Sequence, residues 1–119
     1  MDRRIELIIS TIKMDIAAAW DTPALAALVN LSPSRFRHLF KQETGTSPAQ
    51  YLKDYRMRKA EKMLRTTFFS VKQILKQVGL TSSAHFVRDF RDLHGLTPTE
   101  YRRRIGVRAK RRRRRKKKR

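Results

Sequence analysis

The stretch that decides the fold occurs twice: residues 31–51 read LSPSRFRHLFKQETGTSPAQY, and residues 80–101 read LTSSAHFVRDFRDLHGLTPTEY. At an offset of fifty positions the same residue types recur, in the pairs Phe36/Phe86, Phe40/Phe90, Gly45/Gly95, Pro48/Pro98 and Tyr51/Tyr101. The segments before them, LAALVNL and ILKQVGL, match at an offset of forty-nine. Each unit therefore predicts a short helix, a turn and a longer helix, which together form a helix-turn-helix.

Apolar residues before the first unit recur at three- and four-residue steps, at Ile5, Ile8, Ile9, Ile12 and Ile16. This spacing predicts an amphipathic helix whose apolar stripe faces a core. No segment alternates with a period of two, so we expect no strands. The sequence thus predicts an all-α fold of about seven helices, with two helix-turn-helix lobes joined by a long central helix.

Cap residues set the expected boundaries. Thr22 is the expected N-cap of the second helix, with Pro23 at its first position, and Gly45 is expected to end the third helix in a left-handed conformation. Ser47 and Gln50 have the spacing of a capping box at the start of the central helix. We therefore expect a first helix-turn-helix over about 22–45, a linker helix over about 47–66 and a second helix-turn-helix over about 70–95, all within a domain at 1–107.

Composition excludes several classes of protein. The 119 residues contain no Cys, which rules out disulfides, Cys-based zinc sites and thiol nucleophiles. Thirty Lys and Arg against ten Asp and Glu give a net charge of +20. Eleven of the basic residues lie in residues 108–119, so nineteen basic and ten acidic residues leave the rest of the chain at +9. A surplus of this size implies a polyanionic partner, and nucleic acid is the first choice.

The third predicted helix separates two kinds of side chain when its residues are placed 100° apart. Phe36, Leu39 and Phe40 fall on one side with Glu43, and we expect the three apolar ones to pack inward. The opposite side carries donors and positive charge, at Ser34, Arg35, Arg37, His38, Lys41 and Gln42. Reading DNA needs this division, because the major groove admits one helix whose outer side chains reach base edges and phosphates.

The matching helix of the second unit has a less polar outer side. Phe86, Phe90 and Leu93 are expected to pack inward, and Asp89 lies at the edge of the packed side. The outward set is Ser83, Ala84, His85, Val87, Arg88 and Arg91. Arg88 can bond a guanine with two hydrogen bonds, whereas an Ala or Val offers only apolar contact. We therefore expect the first helix to read bases better than the second.

The sequence resembles the DNA-binding domain of AraC-type transcription regulators. The resemblance rests on SPSRFRHLFKQETGTSPAQYLKDYRMRKAEKML and VGLTSSAHFVRDFRDLHGLTPTEYRRR, and it covers nearly all of residues 5–104. It implies a sequence-specific regulator that inserts two recognition helices into successive major-groove segments, about one helical turn or 34 Å apart. One departure is Asn30, which stands in the first turn where the second turn has Gly79; Asn tolerates the left-handed conformation.

The resemblance also implies which residues contact DNA. Base contacts are expected early in each recognition helix, at Ser34, Arg35, Arg37 and His38 and at Ser83, Ala84, His85 and Arg88. Phosphate contacts are expected from Ser32, Lys41, Ser82 and Arg91. The run at 108–119 lies outside the family pattern; we expect it to be a disordered tail that holds DNA without sequence preference through Arg111, Arg112, Arg113, Arg114 and Arg115.

Other expectations concern partners and chemistry. We expect no enzyme activity, no metal site and no cofactor, because no His has a ligand-spaced partner or a paired nucleophile. The resemblance implies a DNA-bound monomer in a bacterial cytoplasm, associated with the nucleoid, and contact with RNA polymerase is the family habit. A separate ligand-sensing domain does not fit in this length. The chain is then either a stand-alone regulator, which Met1 mildly favours, or the DNA-binding part of a longer ligand-responsive protein.

A rival interpretation stays open on the sequence alone. The amphipathic first helix and the basic run also suit a protein that binds polyanions or anionic membrane surfaces without sequence preference. That first helix carries Asp2, Glu6 and Asp15, however, and its Ile stripe is what a core-facing helix requires. We therefore favour the DNA-binding interpretation, with no membrane partner.

Overall fold

The computed structural model describes residues 1–105, and within them it contains seven helices and no strand. The helices are α1 (Arg3–Met14), α2 (Thr22–Leu28), α3 (Pro33–Thr44), α4 (Pro48–Thr66), α5 (Val71–Val78), α6 (Ser83–His94) and α7 (98–105). The prediction of an all-α fold is confirmed. Helices α2 and α3 lie in the range 22–45, α4 in the range 47–66, and α5 and α6 in the range 70–95.

The chain forms two compact units, Met1–Arg56 and a second that begins at Met57, which we call the first and second lobes. The boundary falls inside α4, so the first half of this helix belongs to one lobe and the second half to the other. Each lobe consequently contains four helical segments: α1, α2, α3 and the start of α4, then the rest of α4, α5, α6 and α7.

The core of the first lobe follows the predicted stripe of α1. Ile5, Ile8 and Ile12 have no exposed surface and pack with buried residues of the other segments, namely Leu25, Ala26, Phe36, Phe40 and Leu52. Ile16 differs from the prediction, because α1 ends at Met14 and Ile16 lies half-buried in the turn that follows. Burying such side chains is the main force that holds a helical lobe of this size together.

The second lobe repeats this pattern with one segment taken from α4. Met57, Ala60 and Leu64 are buried and stand fifty-two positions after the three Ile residues of α1. The remaining buried apolar residues of this lobe are Ile74, Leu75, Val78, Phe86 and Phe90. The structural repeat is therefore longer than the sequence repeat: it comprises four helices, and α4 serves as the last helix of one copy and the first of the next.

Local capping explains most helix ends and corrects two predictions. Asp21, not Thr22, is the N-cap of α2, and its carboxylate accepts the backbone N–H of Ala24 at 2.8 Å. A carboxylate is a stronger acceptor than a hydroxyl, which places the cap one residue earlier. The box expected at Ser47 is half formed, because the side chain of Gln50 donates to Asp54 instead of returning to the helix start.

The turns between the helices use left-handed backbone as predicted. Gly45 and Gly95 end α3 and α6 with φ of 83° and 73°, and Gly79 ends α5 with φ of 83°. Asn30 takes the corresponding place after α2 with φ of 57°. The requirement at Gly45 and Gly95 is conformational rather than steric, because a Cβ atom there would meet no other atom within 4 Å.

Candidate nucleic-acid interface

An aromatic pair fixes the orientation of α3 in the first lobe. Phe36 and Phe40 are fully buried, with ring centroids 5.7 Å apart, and Phe40 meets Tyr51 edge-on at 5.3 Å. The opposite side of α3 is consequently exposed, and it brings together the predicted base-reading residues Ser34, Arg35, Arg37 and His38 with Ser32 and Lys41. The structure thus places all six predicted side chains on the solvent side of one helix.

The second lobe orients α6 in the same way. Phe86 and Phe90 lie 5.7 Å apart, and Phe90 meets Tyr101 at 5.2 Å in an edge-on arrangement. The predicted residues Ser83, Ala84, His85, Arg88 and Arg91 are all exposed, and Ser82 is half-buried at the N-cap. These six residues also share one surface.

Two predictions about the packing of α6 are wrong. Leu93, expected to pack inward, is 70% exposed, and Val87, expected outward, is half-buried. His94 is exposed as well, but its ring lies against that of Phe90 at 4.2 Å and against that of Tyr101 at 5.3 Å. The edge of the aromatic cluster is therefore covered by His94 and not by Leu93.

The N-caps of both recognition helices leave their hydroxyl protons available. Ser32 accepts the backbone N–H of Arg35 at 3.2 Å, and Ser82 accepts that of His85 at 3.3 Å. A hydroxyl that accepts through its oxygen still has one O–H to donate. Both serines therefore combine a structural role with the ability to donate to an anionic oxygen at a helix N-terminus.

The charges of the two recognition helices differ. In α3, Arg35, Arg37 and Lys41 stand against one acid, Glu43, for a net charge of +2. In α6, two Arg residues stand against Asp89 and Asp92, for a net charge of zero. The Nε of Arg88 lies 3.6 Å from the carboxylate of Asp89, which partly neutralises the residue best suited to read a guanine. Of the two helices, α3 therefore presents the more positive surface.

A groove beside α3 contains a residue that the sequence analysis missed. Its volume is about 520 Å³, and it is lined by Arg4, Leu31, Ser34, Arg35, His38, Leu39 and Gln42. Arg4 belongs to α1, which the sequence identified only as a core helix. The available signal was the pair of basic residues at the start of that helix, but only folding brings Arg4 beside α3.

Two arginines hold the loops that precede the helix-turn-helix units. Arg56 donates from Nε to the carbonyl of Ile16 at 3.0 Å and from Nη2 to that of Ala18 at 2.7 Å. Burial lowers the pKa of this guanidinium. Arg102 donates in the second lobe to the carbonyls of Leu64, Thr67 and Phe69, at 3.1, 3.3 and 2.5 Å. Both side chains fix backbone through carbonyl groups, so we assign them a structural role.

The second lobe also has a polar anchor beneath α6. Tyr101 donates its hydroxyl proton to Glu61, and Arg65 donates to the same carboxylate at 2.8 and 3.2 Å. Desolvation raises the pKa of Glu61, but the hydrogen bonds from Tyr101 and Arg65 outweigh it and hold the pKa below its usual value. Desolvation, together with the bond to Glu61, raises the pKa of Tyr101. This anchor connects α4 to α7 within the lobe.

Residues 1–105 hold neither a metal-binding cluster nor a helix suited to a membrane. No group of three or more His, Asp and Glu side chains there is arranged to hold a metal ion. Across the same residues, no helix has both the length and the apolar character needed to cross a bilayer. The predicted tail contacts, Arg111, Arg112, Arg113, Arg114 and Arg115, lie outside the described residues.

Comparison with known proteins identifies the relatives of this chain. The profile of the helix-turn-helix domain family matches residues 25–104. The arabinose operon regulatory protein of Escherichia coli K12 is 33% identical over 103 residues, which are 86% of this chain and 35% of that protein. The chain spans about a third of the length of the curated relatives it matches first.

Solved structures are similar over nearly the whole described region. A transcriptional regulator from Chromobacterium violaceum, described as containing an AraC-type DNA-binding domain, has a TM-score of 0.75 at 29% identity, covering 86% of this chain and 91% of that chain. The DNA-binding domain of the global transcriptional factor AdpA, crystallised with a target DNA, has a TM-score of 0.83 at 25% identity, covering 90% and 96%.

Proposed function

Because the chain belongs to the AraC-type helix-turn-helix family, we propose that it binds double-stranded DNA at specific sequences and regulates transcription. The observation that carries this proposal is the paired construction of the surface. Two helices, each held from behind by the same aromatic arrangement, present their donors and cations to solvent in both lobes. That arrangement matches what reading a base edge in the major groove requires.

The first recognition helix supplies most of the base reading in this proposal. Arg35 and Arg37 can each bond the two acceptors on the major-groove edge of a guanine, and His38 can donate or accept. The side chains that would contact phosphates are Ser32 and Lys41. All five are exposed, and the two arginines have no acid next to them on α3, whose one carboxylate, Glu43, accepts the backbone N–H of Asp2.

The second recognition helix adds a weaker contribution. Arg88 and His85 are its polar base-reading groups, Ala84 offers apolar contact, and Ser83 adds a hydroxyl. Ser82 and Arg91 would contact phosphates. Arg88 lies beside Asp89, whose negative charge partly offsets the attraction of this arginine for the acceptors of a guanine.

The basic run at 108–119 has a separate role in the proposal. Its eleven cations, including Arg111 to Arg115, would hold the DNA backbone without reading sequence. Removing these residues should reduce the slope of log K against log salt while the preferred DNA sequence stays the same. Equal slopes with and without residues 108–119 would exclude this role.

The partners beyond DNA follow the same family reasoning. We propose that the chain binds its site as a monomer, because one polypeptide already carries two recognition helices, and that it acts in the bacterial cytoplasm on the nucleoid. Contact with RNA polymerase would convert binding into regulation. Sedimentation of the DNA complex tests the stoichiometry: one chain per site is expected, and two chains would contradict it.

The direct test of the proposed function uses matched charge removals. Arg37→Ala and Lys59→Ala each remove one exposed cation, the first from α3 and the second from α4. Each variant is titrated with a duplex recovered by selection, in the presence of excess random duplex. Arg37→Ala should cost about 1–3 kcal/mol of binding free energy and relax the base preference at one position of the site. Lys59→Ala should have little effect. Binding that random duplex abolishes for every variant would contradict sequence-specific recognition.

A further inference from the structure

Arg4 is placed beside the recognition helix of the first lobe although it belongs to α1. It shares the groove of about 520 Å³ with Arg35, His38 and Gln42, all of which lie on the outward side of α3. The exposed Ser34 and the half-buried Leu31 and Leu39 complete the lining. Three basic or titratable side chains from two helices therefore surround one depression that opens to solvent.

The guanidinium of Arg4 is held in a defined orientation. Asp2 accepts its Nε at 3.2 Å and its Nη2 at 3.0 Å, and this pairing raises the pKa of Arg4. The backbone N–H of Asp2 donates in turn to the carboxylate of Glu43, at the far end of α3, at 3.2 Å. The start of α1 is thus tied directly to the recognition helix.

This pairing leaves part of the guanidinium free. An arginine has five N–H donors in a fixed fork, and Asp2 uses two of them. The remaining donors have the geometry that a phosphate oxygen accepts, and half of the Arg4 side chain is exposed, at 49%. A charged group oriented in advance loses less conformational entropy when it binds an anion.

We propose that Arg4 binds a phosphate of the DNA backbone next to the major-groove segment that α3 enters, so that two helices of the first lobe hold the DNA. The inference rests on the proposed function, because α3 must face DNA for Arg4 to reach it. The groove would accommodate the sugar-phosphate strand at the edge of the major groove, with Arg4 on one side and Arg35 on the other.

The equivalent position in the second copy of the repeat does not offer this contact. Arg56 stands fifty-two positions after Arg4, at the offset that relates α1 to the second half of α4. Its guanidinium donates to the carbonyls of Ile16 and Ala18. The phosphate contact is therefore specific to the first lobe, and it adds to the difference in charge between α3 and α6.

The test compares three full-length chains: the wild type, Arg4→Ala and Arg3→Ala. Arg3 is exposed and adjacent but does not line the groove, so its replacement changes the net charge equally and serves as the control. Each chain is titrated with a duplex that the wild type selects from random DNA. Arg4→Ala should weaken binding about fivefold to tenfold at every base sequence and reduce the salt slope by about one, while Arg3→Ala changes little.

A modified duplex locates the contact. Single phosphates are neutralised by replacing them with methylphosphonates. At one position this replacement should weaken DNA binding by the wild type but should not further weaken binding by Arg4→Ala. Arg4→Ala retains the cap of α1, because Asp2 accepts the backbone N–H of residue 4, and circular dichroism checks that the fold is intact. Equal losses for Arg4→Ala and Arg3→Ala, with the selected site still bound specifically, would overturn this inference alone. Failure of the wild type to select any site would overturn the proposed function as well.

Discussion

The two lobes share one internal design and differ in what they present to solvent. Ring centroids of the paired Phe residues are 5.7 Å apart in both lobes, and the Phe–Tyr contacts are 5.3 and 5.2 Å. The recognition helices that these aromatics support carry net charges of +2 and zero. The orientation of each helix and the charge that it presents to solvent are therefore determined by different residues and can diverge independently.

The margins of the two cores differ as well, because half-buried charged residues of the second lobe stand where the first lobe has apolar ones. Leu39, Ile9 and Leu52 of the first lobe correspond to Asp89, Glu61 and Arg102 of the second. Each of these charged residues has hydrogen-bond or ion-pair partners within its own lobe. The second lobe thus replaces apolar contacts with paired charges, which maintain the fold because none of them is left buried without a partner.

The largest expected effect tests the shared design. Phe40→Ala and Phe90→Ala each remove a fully buried ring that contacts a second Phe and a Tyr. Each change should cost about 3–5 kcal/mol of unfolding free energy, because a large cavity is left behind. Urea unfolding, monitored by circular dichroism, measures both losses of unfolding free energy. A loss below about 1 kcal/mol in one lobe would show that its aromatic cluster does not hold the helix.

A smaller effect tests the difference between the outer surfaces. Arg37→Ala removes a cation with no acid beside it on α3, whereas Arg88→Ala removes one that is already paired with Asp89. We expect a loss of about 1–3 kcal/mol of binding free energy for Arg37→Ala and a clearly smaller loss for Arg88→Ala. Fluorescence anisotropy at one fixed salt concentration gives both values. Equal losses would mean that the pairing with Asp89 has no effect on binding.

The smallest effect concerns the polar anchor of the second lobe. Tyr101→Phe removes the hydrogen bond to Glu61 and should cost about 1 kcal/mol of unfolding free energy. In the first lobe Ile9 stands where the second lobe has Glu61, so Tyr51→Phe should cost less. Thermal unfolding of the two variants provides the comparison. If Tyr51→Phe proved the more damaging, the anchor would have no energetic role.

The same anchor predicts a dependence on pH. The pKa of Glu61 in the folded protein lies below its ordinary value of 4.5. Its stabilising contribution is therefore complete at pH values above its ordinary pKa, and it is lost as the pH falls through its lower pKa in the folded protein. Glu61→Gln should flatten the decline in stability over that acid range, and a decline identical to that of the wild type would contradict the assignment.

Most of the fold could be predicted from sequence because spacing determines it. The repeated Phe, Gly, Pro and Tyr positions predict both helix-turn-helix units, and the Ile stripe predicts α1. Periodicity could not show which of Leu93 and His94 contacts the aromatic cluster, since residues three and four positions after Phe90 both lie near its side of the helix. Both are exposed, and only His94 places its ring against Phe90 and Tyr101.

The outer surface could be predicted within each helix but not between helices. The exposed residues of α3 follow from the helical repeat, and so do those of α6 except at Val87 and Leu93. The position of Arg4 depends on how α1 packs against α3, and this tertiary relationship leaves no local pattern in the sequence. The dual use of α4 was hidden for the same reason: Met57, Ala60 and Leu64 share an offset with the Ile residues of α1, but they do not share residue types.

The measurement that tests the account most directly is a selection of the full-length chain against random duplex DNA, with heparin as competitor, at near-physiological salt. The enriched DNA should contain two blocks of preferred bases. Arg37→Ala should relax the preference in the block with the stronger preference, and Arg88→Ala should relax it in the block with the weaker one. Enrichment of no sequence, with all binding lost to heparin, would contradict sequence-specific recognition by these two helices.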